Sequence, residues 1–243
     1  MSSSSLQQNL ILVFSCLVFT ALISVSCGKD KDSTPSDGDG NTYKTVVTGS
    51  QSWLSENLKP TKYNDGTDIP LITDNGAWYL GKAPGYCWYE NKAAENKDLF
   101  GALYNWYAVN TGKLCPKGWH VPTDKEWMQL EEHLGMVEAE QVFLGWRGED
   151  KAIGGMLKST GTSLWTDPNT GATNSTGFEG YPGGCRILYG DFKFKFGYAY
   201  WWCSGEVDQT YGIMRSLASD LVTIFKSHYQ KEYGMSVRCV KDL

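Results

Sequence analysis

The chain is poor in the residues on which most metalloenzymes and nucleic-acid binders depend. Its 243 residues include three histidines, His120, His133 and His228. No H-E-x-x-H, C-x-x-C or phosphate-loop pattern occurs, which removes zinc peptidases, dithiol oxidoreductases and P-loop nucleotide hydrolases. A Ser-His-Asp arrangement stays open, because spacing does not reveal it. Lys and Arg number 22 against 27 Asp and Glu, a net charge of −5, and they form no cluster. Without a basic patch the chain is not a nucleic-acid binder. No apolar run reaches the ~20 residues of a spanning helix; the longest, Leu10 to Ile23, is roughly 14. No internal repeat divides the chain.

That short run is itself informative. It fits the core of a secretory signal peptide, and it ends at the small residues Ser24 and Ser26 beside Cys27. A Cys at this place resembles a bacterial lipobox, in which the Cys receives a diacylglyceryl group and becomes the mature N-terminus. Ser24 stands where a lipobox favours Leu, and no Lys or Arg precedes the run. An ordinary cleaved signal peptide with an incidental Cys is the alternative. Gly28 to Asn41 lacks large apolar residues, as a flexible spacer does. The Lys and Asp residues after Cys27 resemble the surface-display signal of Bacteroidetes lipoproteins. The expected division is a signal peptide over 1–26, a lipidated Cys with spacer over 27–41, and one domain over 42–243. The protein is then exported, held to a lipid bilayer through Cys27, and periplasmic or surface-exposed at the outer membrane.

Aromatic residues make up 14% of the chain. Many are clustered, as in Tyr86-Cys87-Trp88-Tyr89, Tyr104-Asn105-Trp106-Tyr107 and Tyr198-Ala199-Tyr200-Trp201-Trp202. Rings of this kind build cores, and they also line glycan- and protein-binding surfaces. Thr42 to Val47 reads as a first strand, Gln51 to Leu58 follows it, and Asn64-Asp65-Gly66 is a turn. Thr123-Asp124-Lys125-Glu126 is a capping box. Trp127, Leu130 and Leu134 follow at helical spacing, and Gly135 is placed to end the helix, over about 123–134. Gly- and Pro-rich connections dominate from Gly154 to Gly184. Tyr198 to Trp202, Leu221 to Phe225 and Tyr233 to Val240 read as antiparallel strands of a meander, with a turn over Lys226 to Glu232 carrying His228. The fold class is α+β: loop-rich, with short antiparallel strands and one well-capped helix. Asp37-Gly38-Asp39-Gly40-Asn41 imitates the start of a calcium loop, but Thr42 and Thr48 replace its Gly and Glu, so it reads as spacer and no metal is assigned.

Several stretches together carry a resemblance. They are Trp53-Leu54-Ser55-Glu56-Asn57-Leu58, Gly101-Ala102-Leu103-Tyr104-Asn105-Trp106-Tyr107-Ala108-Val109, Leu114 to Trp127, Asn169 to Phe178, and Tyr233 to Asp242. In this order they closely resemble the Fibrobacter succinogenes major paralogous domain, over roughly Thr42 to Asp242. The resemblance implies an exported domain, often lipid-anchored, with a C-type lectin-like fold and no established activity. Calcium-dependent sugar binding is not implied, because the Glu-Pro-Asn, Gln-Pro-Asp and Trp-Asn-Asp tripeptides of such lectins do not occur. Formylglycine-generating enzymes share that fold and use a copper-binding Cys pair, but the flanks of Cys185 and Cys203 do not match theirs.

Five cysteines fall in the domain, and in an exported protein they are disulfide candidates. The resemblance partitions them. Cys87, Cys115 and Cys239 lie where the family carries Cys, whereas Cys185 and Cys203 lie where it has Tyr and Ser. It suggests Cys185–Cys203 and Cys115–Cys239 as pairs, with Cys87 left over. Five reduced, buried thiols are the alternative.

The expectation for function is a non-catalytic binding protein for a glycan or a surface protein, with no cofactor. Its candidate contacts are Tyr200, Trp201, Trp202 and Tyr211, with Arg186 and Asp208 as polar partners. A structural component of the cell surface is the second reading. A hydrolase or Cys-dependent oxidase is the third.

Overall fold

The computed structural model describes residues 34–242. Cys27, the apolar run and the start of the spacer lie outside them. In the hairpin of β1 (Thr45–Thr48) and β2 (Gln51–Leu54), Val46 faces Trp53 across the antiparallel pair. Then come α1 (Asn75–Leu80), β3 (Tyr86–Cys87), α2 (Ala93–Phe100), β4 (Leu103–Tyr104) and α3 (Trp106–Val109). The middle holds β5 (Trp119–His120), α4 (Asp124–His133), α5 (Glu138–Gln141), β6 (Gly145–Arg147) and α6 (Ile153–Leu157). Last are β7 (Cys185–Arg186), β8 (Phe192–Lys193), β9 (Tyr198–Glu206), β10 (Tyr211–Ala218), β11 (Ile224–Gln230) and β12 (Val240–Lys241).

Two four-stranded sheets organise these elements, in the orders β1-β2-β12-β5 and β6-β11-β10-β9. Every ladder in them is antiparallel. Of the three strands expected near the C-terminus, Tyr233 to Val240 leaves the meander and ends in β12 of the first sheet, and the meander observed is β9-β10-β11. Both of its faces are packed: Tyr200, Trp202 and Met214 enter one core cluster, while Ala199, Trp201, Cys203, Leu217 and Ile224 enter the other. The α+β reading holds, with short strands and short helices.

The capping box at Thr123 forms as its residues require: Thr123 accepts from the Glu126 amide, and the Glu126 side chain accepts from the Thr123 amide. At the other end Gly135, with φ +102, donates to the Glu132 carbonyl and Met136 to that of Glu131. That is a Schellman close, which only a left-handed residue allows cheaply. The buried side of α4 carries a charge as well as Trp127 and Leu130. Glu131 is fully buried and pairs with Arg147 at 2.8 Å and with Arg215 at 2.7 Å. Asp124 holds Arg215 and Lys226. Strands β6, β10 and β11 each supply one cation to this helix, and the buried carboxylates are paired.

Four other expectations need correction. Residues Thr34 to Asn41, expected to be spacer, belong to the same compact unit as the rest of the described chain. Asp37 is buried there; its carboxylate accepts from the Asp39 and Asn41 amides and from the Tyr43 hydroxyl. The helix at 123–134 is not the only capped one, since Asp74 caps α1 and Asn105 caps α3. Lys226 to Gln230 is strand rather than turn, and His228 faces Ile213 of β10. Cys115 and Cys239 are bonded, but Cys185 and Cys203 are both free and buried. The latter two belong to different core clusters, Cys203 entering from β9 the one that Cys185 does not join.

Candidate functional site

The sequence-derived contacts do not gather on a surface. Trp201 and Trp202 are 1% and 0% exposed. Their indole N–H groups donate to Asn57 and to the Tyr104 carbonyl. Arg186 is also buried, between the rings of Trp78 and Phe192, and donates to carbonyls of Ile72, Thr73 and Gly190. None of these three can touch a ligand. Asp208 is exposed but spends an oxygen capping the Thr210 and Tyr211 amides at the tip of the β9–β10 hairpin. Tyr211 stands exposed beside it. Tyr200 is buried as well, at 7% exposure, and it packs within a larger constellation of rings.

The register of the meander places Tyr198, Tyr200, Phe225 and Tyr229 on one face, and Tyr233 packs edge-on against Tyr229 at 4.9 Å. Tyr198 and Tyr200 stack at 5.9 Å, with Phe194 against both. The phenols of Tyr200, Tyr229 and Tyr233 have raised pKa values, first through burial and then through the charges of one another and of Cys185. Burial likewise pushes the Cys185 thiol up to about 12, so it is no thiolate nucleophile at neutral pH. Tyr189, 63% exposed, extends the band toward Tyr79, whose ring lies 5.2 Å away.

Two properties mark this face, which packs on one of the two core clusters. Tyr43, Tyr104 and Tyr107 donate their hydroxyls to Asp37, the Pro60 carbonyl and Glu232. Among the described residues, the hydroxyls of Tyr198, Tyr200, Tyr229 and Tyr233 have no protein partner. They are not sealed off either, since no orphaned buried oxygen occurs there. The second property is backbone strain. Phe194 has φ +67 and Phe196 φ +69, left-handed values that a bulky side chain rarely adopts. Such a conformation costs about 1–3 kcal/mol and persists where the surroundings enforce it. Here it displays Phe194, 52% exposed, over the Tyr198–Tyr200 stack.

Of the histidines, His120 has the most structured environment. Its Nδ1 lies 2.6 Å from Asp242 and its Nε2 2.7 Å from Glu126. Both nitrogens face carboxylates, so the ring sits as a doubly donating imidazolium and has no free nitrogen to accept a substrate proton. Burial lowers its pKa, but the hydrogen bonds and charges of Asp242 and Glu126 outweigh this and raise it above 6.5. A raised folded-state pKa stabilises fully below the unfolded value of about 6.5 and fades as pH rises through the folded value. The stability advantage over a His120→Ala variant is therefore expected to be largest near pH 5.5–6 and to shrink toward pH 9. Thermal unfolding of both proteins across that range checks it, and a pH-independent gap would contradict it.

Cys239, bonded to Cys115, is followed by β12, whose Val240 faces His120, and the tyrosine face is carried on the other four-stranded sheet. No curated protein and no solved structure matches the chain. The model of the Fibrobacter succinogenes major domain matches residues 46–241, which hold both four-stranded sheets, and the chain belongs to that family.

Proposed function

We propose that the chain is an exported lipoprotein, anchored through Cys27, whose domain takes a C-type lectin-like fold and binds a glycan without catalysis. The observation that carries the binding reading is the set of tyrosines on one sheet face whose hydroxyls have no partner in the protein. Flat rings offer apolar contact to the C–H face of a sugar, and a free phenol offers a donor and an acceptor at the ring edge. The strained display of Phe194 supports the same reading, because strain of this kind gathers at working surfaces. Export and lipidation rest on the apolar run, Ser24, Ser26 and Cys27. The six residues between Cys27 and Thr34 reach at most ~20 Å when extended, which keeps the domain near the bilayer.

A glycan array probed with the full chain tests the proposal, together with Phe194→Gly. Glycine accepts positive φ without strain. The variant is expected to unfold at the same or a higher temperature while losing affinity roughly tenfold. Binding unchanged in Phe194→Gly, or no array signal from folded protein, would remove the glycan reading; capture of a protein ligand by this face would replace it.

A further inference from the structure

The sheet β6-β11-β10-β9 ends at β6, and that edge is bare. Gly145, Trp146 and Arg147 pair with Lys226, Phe225 and Ile224 on one side. Among the described residues, no backbone group of Leu144 to Arg147 bonds outside that ladder. A Cβ placed on Gly145 would meet no atom within 4 Å, so nothing folds over the strand there. Proteins usually blunt such an edge with proline or an exposed charge. Val142 to Arg147 has neither, because Arg147 is turned inward onto Glu131.

The side chains along the edge are apolar. Val142, Phe143 and Leu144 are each more than half exposed, Trp146 is 40% exposed, and Val137 stands exposed one short helix upstream. Together they present roughly 500 Å², toward the top of the ~300–600 Å² of the largest patch on an ordinary monomer. The rim is acidic. Glu138, Glu149 and Asp150 are exposed there, and Lys151 is the one exposed base between Val137 and Lys151.

We propose that this edge is the contact between two copies of the chain, joined antiparallel about a two-fold axis. Such an axis relates an antiparallel strand to its own copy, so both bare edges are satisfied in one contact. The patch is apolar throughout and therefore complementary to itself, as an isologous contact requires. The two patches together bury roughly 1,000 Å², about the area at which a specific interface begins. The axis stands perpendicular to the sheet, so the joined sheet has eight strands and carries both tyrosine faces on the same side. The two β9 strands are then about 34 Å apart, at seven strand spacings. A glycan long enough to span them is held at two points, with the avidity that linked sites give. Only that consequence rests on the glycan reading; the contact itself does not.

Sedimentation equilibrium of the full chain tests the proposal. A dimer with a micromolar dissociation constant is expected. It should tighten severalfold between about 50 and 500 mM salt, because the acidic rims meet across the axis and salt screens them. Phe143→Glu and Leu144→Glu should each weaken it tenfold or more. Val47→Glu, at an exposed apolar residue of β1 outside the patch, should change nothing. A monomer at roughly 100 μM, a dimer that both patch variants leave intact in folded protein, or equal weakening by Val47→Glu would overturn the inference.

Discussion

Replacing Cys115 and Cys239 together by Ala is expected to lower the unfolding free energy by about 4–5 kcal/mol in the chain-entropy description. The bond joins the segment before β5 to the segment before β12, 124 residues apart in sequence, so it closes more than half of the chain into a loop. Both sulfurs are buried, and Ala leaves no unpaired polar atom behind. A single domain holds only about 5–15 kcal/mol, so the variant should sit near the edge of folding. Urea denaturation measures the loss, and the slope should rise because the unfolded chain is no longer tethered. A loss below about 1 kcal/mol would contradict the expectation. Thiol labelling of denatured, unreduced protein should reach Cys87, Cys185 and Cys203 but neither partner of the bond.

Arg238→Met is expected to destabilise by about 3 kcal/mol or more, because it leaves several buried acceptors unpaired at about 1–3 kcal/mol each. Its guanidinium is fully buried and, among the described residues, is in no salt bridge. It donates instead to Asn57 at 2.7 Å, to the Leu54 carbonyl at 3.1 Å and to the Glu179 carbonyl at 2.6 Å. The Phe178 ring lies 4.4 Å away, with Trp201 at 5.8 Å. One side chain thus joins β2, the loop at 178–179 and the C-terminal segment. Asn57 passes the link on, since its oxygen also accepts from Trp201. Arg238→Lys keeps the charge but cannot fork to acceptors on both sides. It should lose about 2 kcal/mol or more, and full stability of the Lys variant in chemical denaturation would refute this role.

The parts of the fold that are locally encoded were legible in the sequence. Helix α4 combines a side-chain cap, apolar spacing and a terminal glycine within a few residues of one another, so no distant contact is needed to specify it. The Cys115–Cys239 bond was legible through the family resemblance rather than through spacing. Tyr198 to Trp202 was legible as strand but not as core or surface. A strand packed on both faces shows no alternation of polar and apolar residues to tell them apart. Here Trp201 and Trp202 face opposite cores.

The tyrosine face was harder to read because its members come from separated segments. Tyr229 lay in a stretch that Lys226, Ser227 and His228 make look like a turn. Phe225, Ser227 and Tyr229 nevertheless alternate with Lys226 and His228, a period-2 signal that marks one face of a strand. Phe194 carried no such signal, for Lys193 to Phe196 alternates like a strand while its backbone turns left-handed. The polar run Asp37 to Asn41 looked like spacer because its order depends on a distant partner, Tyr43, and on Thr61, which donates to Asp39.

The most direct measurement is calorimetric titration of an array-selected glycan into the full chain and into its Tyr198→Ala variant, with thermal unfolding of both proteins alongside. A loss of affinity of roughly tenfold or more at an unchanged unfolding temperature is the expected result. Equal affinity in the two folded proteins would contradict the assignment of the tyrosine face.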